Sequence, residues 1–179
     1  MEKVDWKELP PYGPSRTSEN ECGVGDDAIV YHASCYCKRV RYSVRGEPLS
    51  AKLCHCRDCQ KLHGAPMEWV AIFDKARVAF ETASLAHLYF YNADTDEGWS
   101  SEEAEHRVLP AKVSCSHCRS PIADEGRNMW MAYCTLFDDT LPPSFQHTCH
   151  LFYPQRCIHL DDSRDQWTGH RGKSTKLNN

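Results

Sequence analysis

The sequence predicts a mostly β fold built from antiparallel sheets, with few short helices. Short stretches rich in aromatic and β-branched residues follow one another at close spacing, and turn residues separate them. Helical periodicity is weak along the chain. The clearest strand is the continuous apolar run at 69–73. Many short strands without long helices are typical of an all-β or mostly β architecture.

The remaining elements follow from local composition. The segment 49–53 leads into a cluster of three cysteines, and 60–66 is predicted as one helical turn ended by Gly64 and Pro66. The acidic, turn-rich segment 92–105 is predicted as an exposed loop. The predicted strands are 29–34, 40–44, 69–73, 77–80, 87–91, 107–114, 129–137 and 148–153.

The length of 179 residues fits one domain with loose ends. Residues 1–27 are rich in Pro, Gly, Ser and charge and predict an N-terminal extension or flexible arm. Residues 28–170 are the predicted domain, and 171–179 a polar, solvated tail. The net charge of −4, with both signs mixed along the chain, argues against a nucleic-acid partner.

Eleven cysteines are more than packing requires, and an odd number cannot be fully paired within one molecule. The N-terminus lacks the apolar run of a signal peptide, and no stretch of about 18 apolar residues could span a membrane. We therefore expect a cytoplasmic, reducing setting, in which clustered cysteines are more often metal ligands or catalytic groups than disulfides.

Seven of the cysteines form close clusters of the kind that presents two thiolates to one zinc ion. Seven thiols divide most economically into four and three. Spacing does not decide which clusters combine. A four-cysteine site would be closed and structural, and a three-cysteine site would keep the open position typical of a catalytic zinc. The clusters are the pair Cys35 and Cys37, the triple Cys54, Cys56 and Cys59, and the pair Cys115 and Cys118.

Two alternatives to an open site remain at this point. The thiols could be buried at chance spacings, or His63, four residues after Cys59, could close the triple as a fourth ligand. The four isolated cysteines are predicted to be small buried apolar residues. They are Cys22, Cys134, Cys149 and Cys157.

These motifs resemble the glutathione-dependent formaldehyde-activating enzyme family, which includes centromere protein V. Their order, spacing and intervening residues agree over about residues 30–170. A late segment that begins at His150 also resembles the family, although we derive no role for this histidine. The matching pieces are Cys35-Tyr36-Cys37, Val40-Arg41-Tyr42, Gly46-Glu47-Pro48-Leu49, Cys54-His55-Cys56-Arg57-Asp58-Cys59, 69–73 and Cys115-Ser116-His117-Cys118-Arg119-Ser120-Pro121.

The resemblance implies a β-tent fold and two zinc ions. It implies a structural zinc on the two cysteine pairs and a catalytic zinc on the triple, and it makes His63 a poor candidate for a fourth ligand. The family usually has glycine where this chain has Lys38 and Arg119. Because glycine eases a positive φ, the turns at these positions are expected to differ.

The resemblance further implies a carbon–sulfur lyase that handles a glutathione adduct of formaldehyde as its small-molecule substrate. We expect His55 and His63 to be candidate proton carriers, with Asp58 orienting His63. Two alternatives are a lyase, dehydratase or isomerase acting on a larger metabolite, and a non-enzymatic zinc interaction module. Three aromatic residues are predicted core residues first and pocket walls second, and His117 is predicted to be exposed. The aromatic residues are Trp69, Trp130 and Tyr133.

Overall fold

A computed structural model describes residues 5–13 and 29–177. Within these ranges the chain is mostly β, as the sequence predicts. The strands are β1 (Val30–Ser34), β2 (Arg41–Arg45), β3 (Ser50–Cys54), β4 (Glu68–Asp74), β5 (Val78–Phe80), β6 (Leu88–Asn92), β7 (Glu97–Ser100), β8 (Ala111–Cys115), β9 (Pro121–Glu125), β10 (Met129–Tyr133), β11 (Cys149–Leu151), β12 (Asp165–Trp167) and β13 (Lys176–Leu177).

The helices are short. One α-helix, α1 (Arg57–His63), occurs in the described residues, and none of their helices has the length and apolar character needed to cross a membrane. The Sγ of Cys56 accepts a hydrogen bond from the backbone N–H of Cys59 (3.3 Å) and so caps the helix, which begins three residues before the predicted turn. Gly64 ends it with a φ of 61°, as predicted. The 3-10 helices are Trp6–Glu8, Lys75–Arg77, Thr82–His87, Ala104–His106, Cys134–Leu136, Pro143–Phe145 and Tyr153–Gln155.

The strands form two sheets. The small one has the order β1-β2-β5, and the large one has the order β13-β12-β11-β3-β4-β10-β9-β8-β6-β7. Most neighbours are antiparallel, but β11 runs parallel to both β3 and β12. The prediction of a mostly β fold with antiparallel sheets is therefore confirmed, and the two parallel pairings of β11 make the large sheet mixed.

The large sheet has one face toward the core and one toward a cavity. The register pairs Ile72 with Met131, Met131 with Asp124, Asp124 with Lys112, and Lys112 with Tyr91. Partners across a register share a face, so these side chains cross five strands on one side. The alternate residues, including the fully buried Phe73, Phe90, Ala123, Trp130 and Ala132, form the core on the other side.

The core also contains residues from the N-terminal segment. Trp6 and Tyr12 are buried, and their rings lie 5.7 and 5.8 Å from that of Phe90. The prediction of a flexible arm is therefore wrong for residues 5–13, because these aromatic rings pack against the large sheet. Residues 1–4 and 14–28 lie outside the described residues, and the domain boundary at 28 stays a prediction.

Two further segments differ from the sequence prediction. The predicted loop 92–105 contains β7, which pairs with β6 and so extends the sheet edge. The predicted solvated tail contains β13, which pairs with β12, and Lys176 forms an ion pair with Asp165 (Nζ–Oδ1, 2.8 Å). Both strands are short and polar, so their pattern does not separate them from loops.

Candidate active site

Four cysteines from two hairpins meet at one end of the core. Cys35 and Cys37 follow β1, whereas Cys115 ends β8 and Cys118 lies between β8 and β9. All four Sγ atoms are within 4.8 Å of one another. One pair follows a strand of the small sheet and the other pair begins at the end of a strand of the large sheet, so the group lies where the two sheets meet. Cys35 and Cys115 are buried there.

Each of the two turns that carry these cysteines contains one residue with a positive φ. Lys38 and Arg119 adopt left-handed conformations with φ values of 61° and 63°. Both positions therefore keep a positive φ without glycine, and a difference from the turns of the family stays a prediction. The N–H of Lys38 donates to the Cys35 carbonyl (2.9 Å), and that of Arg119 donates to the Cys115 carbonyl (3.0 Å).

The four-thiol group fits a zinc ion. Cys37 Sγ lies 3.5 Å from Cys35 Sγ and 3.8 Å from Cys115 Sγ. Tetrahedral coordination with Zn–S bonds of about 2.3 Å requires sulfur–sulfur separations of about 3.8 Å. The donor chemistry and the spacing of this group therefore both suit zinc.

The three remaining clustered cysteines form a separate group at the end of β3 and the start of α1. The Sγ atoms of Cys54, Cys56 and Cys59 lie within 4.8 Å of one another. All three residues line a cavity of about 390 Å³. This arrangement could hold a metal ion at the cavity wall, with three thiolates as ligands.

The cavity has an apolar wall and a charged end. Val70, Ile72, Met131 and Leu151 supply the apolar wall. The charged end lies beside the cysteines and comprises Glu68, Lys112 and Asp124.

The charged end is an organised network around Lys112. Its Nζ lies 3.6 Å from Cys59 Sγ, 2.7 Å from Asp124 Oδ1 and 3.7 Å from Glu68 Oε2. Tyr133 also donates its hydroxyl hydrogen to Asp124 Oδ1 (2.6 Å). An ammonium group so close to a thiol offsets the negative charge that three thiolates would concentrate here.

The two carboxylates of this network have opposed pKa shifts. Burial acts to raise the pKa of Glu68, but the hydrogen bond from His63 and the charge of Lys112 lower it overall. Burial raises the pKa of Asp124, and the nearby Glu68 carboxylate adds to the effect. Burial also acts to lower the pKa of Lys112, but Asp124 and Glu68 raise it overall, so this group stays an ammonium. Asp124 is therefore the carboxyl more readily protonated.

His63 contacts this network and is not part of the three-thiol group. Its Nε2 lies 2.7 Å from Glu68 Oε1 and 3.3 Å from the Tyr133 hydroxyl. The first contact is a hydrogen bond when Nε2 carries the proton. Asp58 lines the cavity but is exposed, and the carboxylate that contacts His63 is Glu68.

His55 lies on the opposite side of the cysteine loop from the cavity. It is fully buried, and its Nε2 is 2.9 Å from His150 Nδ1. Burial and the charge of the neighbouring His150 lower its pKa to about 4. Its position does not support direct contact with a substrate in the cavity, so a catalytic role stays a prediction.

Other predicted residues have varied environments. Trp130 and Tyr133 are buried, Trp69 is partly buried, and His117 is exposed, in agreement with expectation. Cys134 and Cys149 are buried as predicted, whereas Cys157 is exposed, so the default of burial is wrong for it. Cys22 lies outside the described residues.

The sequence reasoning missed Glu68, Lys112 and Asp124. Lys112 alternates with the buried Ala111 and Val113, which shows that its face differs from the core face. That alternation could have marked Lys112 as pointing away from the core. Only the register Lys112–Asp124 between β8 and β9 brings the pair together, and local sequence does not contain this register.

Comparison with known proteins assigns the chain to a family. The family described as glutathione-dependent formaldehyde-activating enzyme matches residues 30–155, which is more than half of the chain. The chain belongs to this family. Comparison with curated proteins finds no match. The matched range of this formaldehyde-activating-enzyme family contains all seven clustered cysteines and the network around Lys112.

A solved structure is also similar to the chain. It is the crystal structure of a Rhodobacter sphaeroides protein, with 17% sequence identity and a TM-score of 0.45. The likeness covers 62% of this chain and 91% of that chain.

Proposed function

We propose that this protein is a zinc-dependent carbon–sulfur lyase of the formaldehyde-activating type, acting on a small thiol adduct such as that of glutathione. The observation that carries the proposal is the position of Cys54, Cys56 and Cys59 at the wall of a 390 Å³ cavity. In the forward direction the thiol sulfur adds to the formaldehyde carbon, and the carbonyl oxygen takes up a proton. The reverse direction breaks the same carbon–sulfur bond.

Two zinc ions are part of this proposal. Cys35, Cys37, Cys115 and Cys118 would hold a structural ion, and the three-thiol group a catalytic one. A zinc ion bound by three thiolates supplies a position at which an incoming thiol is deprotonated.

The charged end of the cavity would orient and neutralise the reactants. Lys112 lies next to Cys59 and would offset negative charge as the substrate thiolate joins the three cysteine thiolates. The apolar wall of Val70, Ile72 and Met131 limits water around the reacting atoms.

Asp124 is the proposed proton carrier. It lies on the cavity face, its pKa is raised, and Tyr133 and Lys112 fix its two oxygens by hydrogen bonds. A carboxyl group with a raised pKa can give a proton to the carbonyl oxygen and recover it in the reverse direction. We place His63 one step away, as the partner that orients Glu68.

A second candidate function is a reaction on a larger metabolite. The observation that favours it is His170, which lines the cavity although it lies outside the family match of 30–155. Its ring lies 5.0 Å from that of Phe152, another cavity residue. This added wall would change the size and chemistry of the ligand accepted. An interaction module without catalysis has less support, because such a module does not need three thiols at a cavity wall.

The test combines zinc analysis with an NMR exchange assay using glutathione and formaldehyde. We expect two zinc ions bound to the cysteine groups of each chain and faster exchange than without protein. Cys56→Ala should lose one zinc ion and the acceleration, whereas Cys157→Ala, at an exposed cysteine outside both groups, should lose neither. Asp124→Asn should keep both zinc ions and lose most of the acceleration.

The outcomes separate the two candidate functions. Two zinc ions without acceleration would favour the larger metabolite. Acceleration that survives Cys56→Ala would exclude the three-thiol group as the reaction centre. Full activity in Asp124→Asn would leave the zinc assignment standing and exclude this proton carrier.

A further inference from the structure

A third group of metal-type ligands lies away from both cysteine groups. The ligand atoms of His147, His150 and Asp162 lie within 4.8 Å of one another. Asp162 Oδ2 is 2.5 Å from His147 Nε2, and Asp162 Oδ1 is 3.0 Å from His150 Nε2. Two imidazole nitrogens therefore converge on one carboxylate.

We propose that His147, His150 and Asp162 bind a third metal ion, a divalent cation of the zinc class. Two imidazoles and a carboxylate are a common donor set for Zn²⁺ and for Fe²⁺, and three protein ligands leave room for water. The site uses none of the seven clustered cysteines, so it does not depend on the proposed function.

The burial of the group suits a bound ion that enters from solvent. The side chain of His150 is fully buried, while those of His147 and Asp162 are 25% and 27% exposed. The three ligand atoms already lie close together, and two of the three side chains are open to solvent, so an ion could reach a donor set that is in place.

The surroundings of His150 provide the outer partner that metal-binding histidines need. Its second ring nitrogen, Nδ1, lies 2.9 Å from His55 Nε2. With a metal ion on His150 Nε2, the Nδ1–H of this ring would donate a hydrogen bond to His55 Nε2. The other nitrogen of His55 is buried with no hydrogen-bond partner among the described residues, so no second contact fixes the tautomer of this ring.

A hydrogen-bonded cluster without metal is the competing interpretation. Such a cluster needs one imidazole to hold the carboxylate, whereas here two approach it. Asp162 is also held in place by the backbone N–H of Arg164, which donates to Oδ1 (3.1 Å). The backbone of its own loop therefore already orients the carboxylate. We infer that the second imidazole is present because it would coordinate a metal ion.

A metal ion here would brace the cysteine loop of the cavity from behind. His150 belongs to β11, whose residue Leu151 pairs with Cys54 of β3. The N–H of His55 donates to the Leu151 carbonyl (3.0 Å). The ion would also join β11 to Asp162, which lies beyond the family match of 30–155.

The test counts cobalt in the full-length protein after exchange of its metal ions for Co²⁺. Cobalt bound to thiolates has strong sulfur-to-metal absorption, which a site of imidazole and carboxylate does not share. We expect three cobalt ions per chain. In Asp162→Asn and His147→Ala we expect one fewer, with the thiolate absorption unchanged.

Two further variants control the result. His106→Ala removes an exposed histidine paired with Glu105 (3.0 Å) and should keep all three ions. Compared with His147→Ala, His147→Asp offers a carboxylate ligand at the same position and should bind the third ion. This comparison does not depend on whether Asp162→Asn folds. Equal cobalt content in the wild type, Asp162→Asn and His147→Ala, with thiolate absorption intact, would overturn the proposal. If the wild-type protein shows no thiolate absorption, the proposed function is contradicted. The third site is then judged by whether the wild type binds more cobalt than Asp162→Asn and His147→Ala.

Discussion

Glu125 is a carboxylate buried on the core face of β9. Its oxygens accept hydrogen bonds from Tyr12 (2.9 Å), Lys75 (2.8 Å) and Arg107 (3.0 and 3.1 Å). A buried charge of this kind is tolerated only when its partners are complete. Glu125 therefore holds the N-terminal segment, through Tyr12, against the large sheet.

We expect Glu125→Gln to destabilise the fold by roughly 3 kcal/mol, because Lys75 and Arg107 would remain buried without their counter-charge. Urea unfolding at constant zinc measures this change. Asp165→Asn removes an exposed ion pair with Lys176 and should change the free energy of unfolding by less than about 1 kcal/mol. Equal effects of the two substitutions would contradict the structural role of Glu125.

The pH dependence of stability should report the same carboxylate. Burial acts to raise the pKa of Glu125, but Arg107 and Lys75 lower it below its usual value of 4.5. A lowered pKa gives stabilisation that is complete above pH 4.5 and is lost as the pH falls further. The free energy of unfolding should therefore fall less steeply in Glu125→Gln than in the wild type below this pH.

At the scale of single elements, the two cysteine turns contain a conformation that their residues do not favour. Lys38 and Arg119 are exposed and have positive φ values, where a Cβ atom is crowded by the backbone. Both positions therefore have a strained backbone conformation. Each of these residues directly follows a cysteine of the four-thiol group.

We expect Lys38→Gly to stabilise the protein by about 1 kcal/mol, which corresponds to a rise of about 2–4 °C in the melting temperature. Lys38→Ala keeps the Cβ atom and should give little of this gain. Differential scanning calorimetry of the zinc-loaded proteins distinguishes the two. A glycine variant no more stable than the alanine variant would show that the turn is unstrained.

The same elements show what local sequence does and does not reveal. The clustered cysteines could be identified because each cluster spans only a few residues. Strand β9 was missed because Asp124 and Glu125 place charges on both of its faces, which removes the alternation that marks a strand. Trp6 and Tyr12 were assigned to an arm because prolines, glycine and charges surround them without periodicity.

At the scale of the whole molecule, long-range pairing accounts for the features that local sequence does not predict. The parallel pairing of β11 with β3 joins residues about a hundred positions apart, and no nearby signal indicates its direction. The network of Lys112, Asp124 and Glu68 likewise depends on the order of β3, β4, β10, β9 and β8. The cysteine ligands could be predicted, but the charged groups beside them and the ligand group of His147, His150 and Asp162 could not.

The two cysteine groups should contribute differently to the whole fold. The four-thiol group joins the β1–β2 hairpin of the small sheet to the β8–β9 hairpin of the large sheet, whereas the three-thiol group lies within neighbouring elements. We expect Cys35→Ser and Cys54→Ser each to lose one zinc ion, with the larger fall in melting temperature in Cys35→Ser. Thermal unfolding with zinc analysis checks this, and the reverse order would contradict the structural assignment.

The alternation of cavity and core residues along β4, β8, β9 and β10 has an evolutionary consequence. Every second position can be exchanged to suit a new ligand while the intervening positions keep the interior intact. Substitution is therefore an easy route to new specificity on this scaffold. A single-residue insertion would instead turn the interior outward unless a β-bulge absorbs it, as the irregularity beside Val113 does between β8 and β9. We therefore expect natural length variation to be concentrated in the connections between these strands.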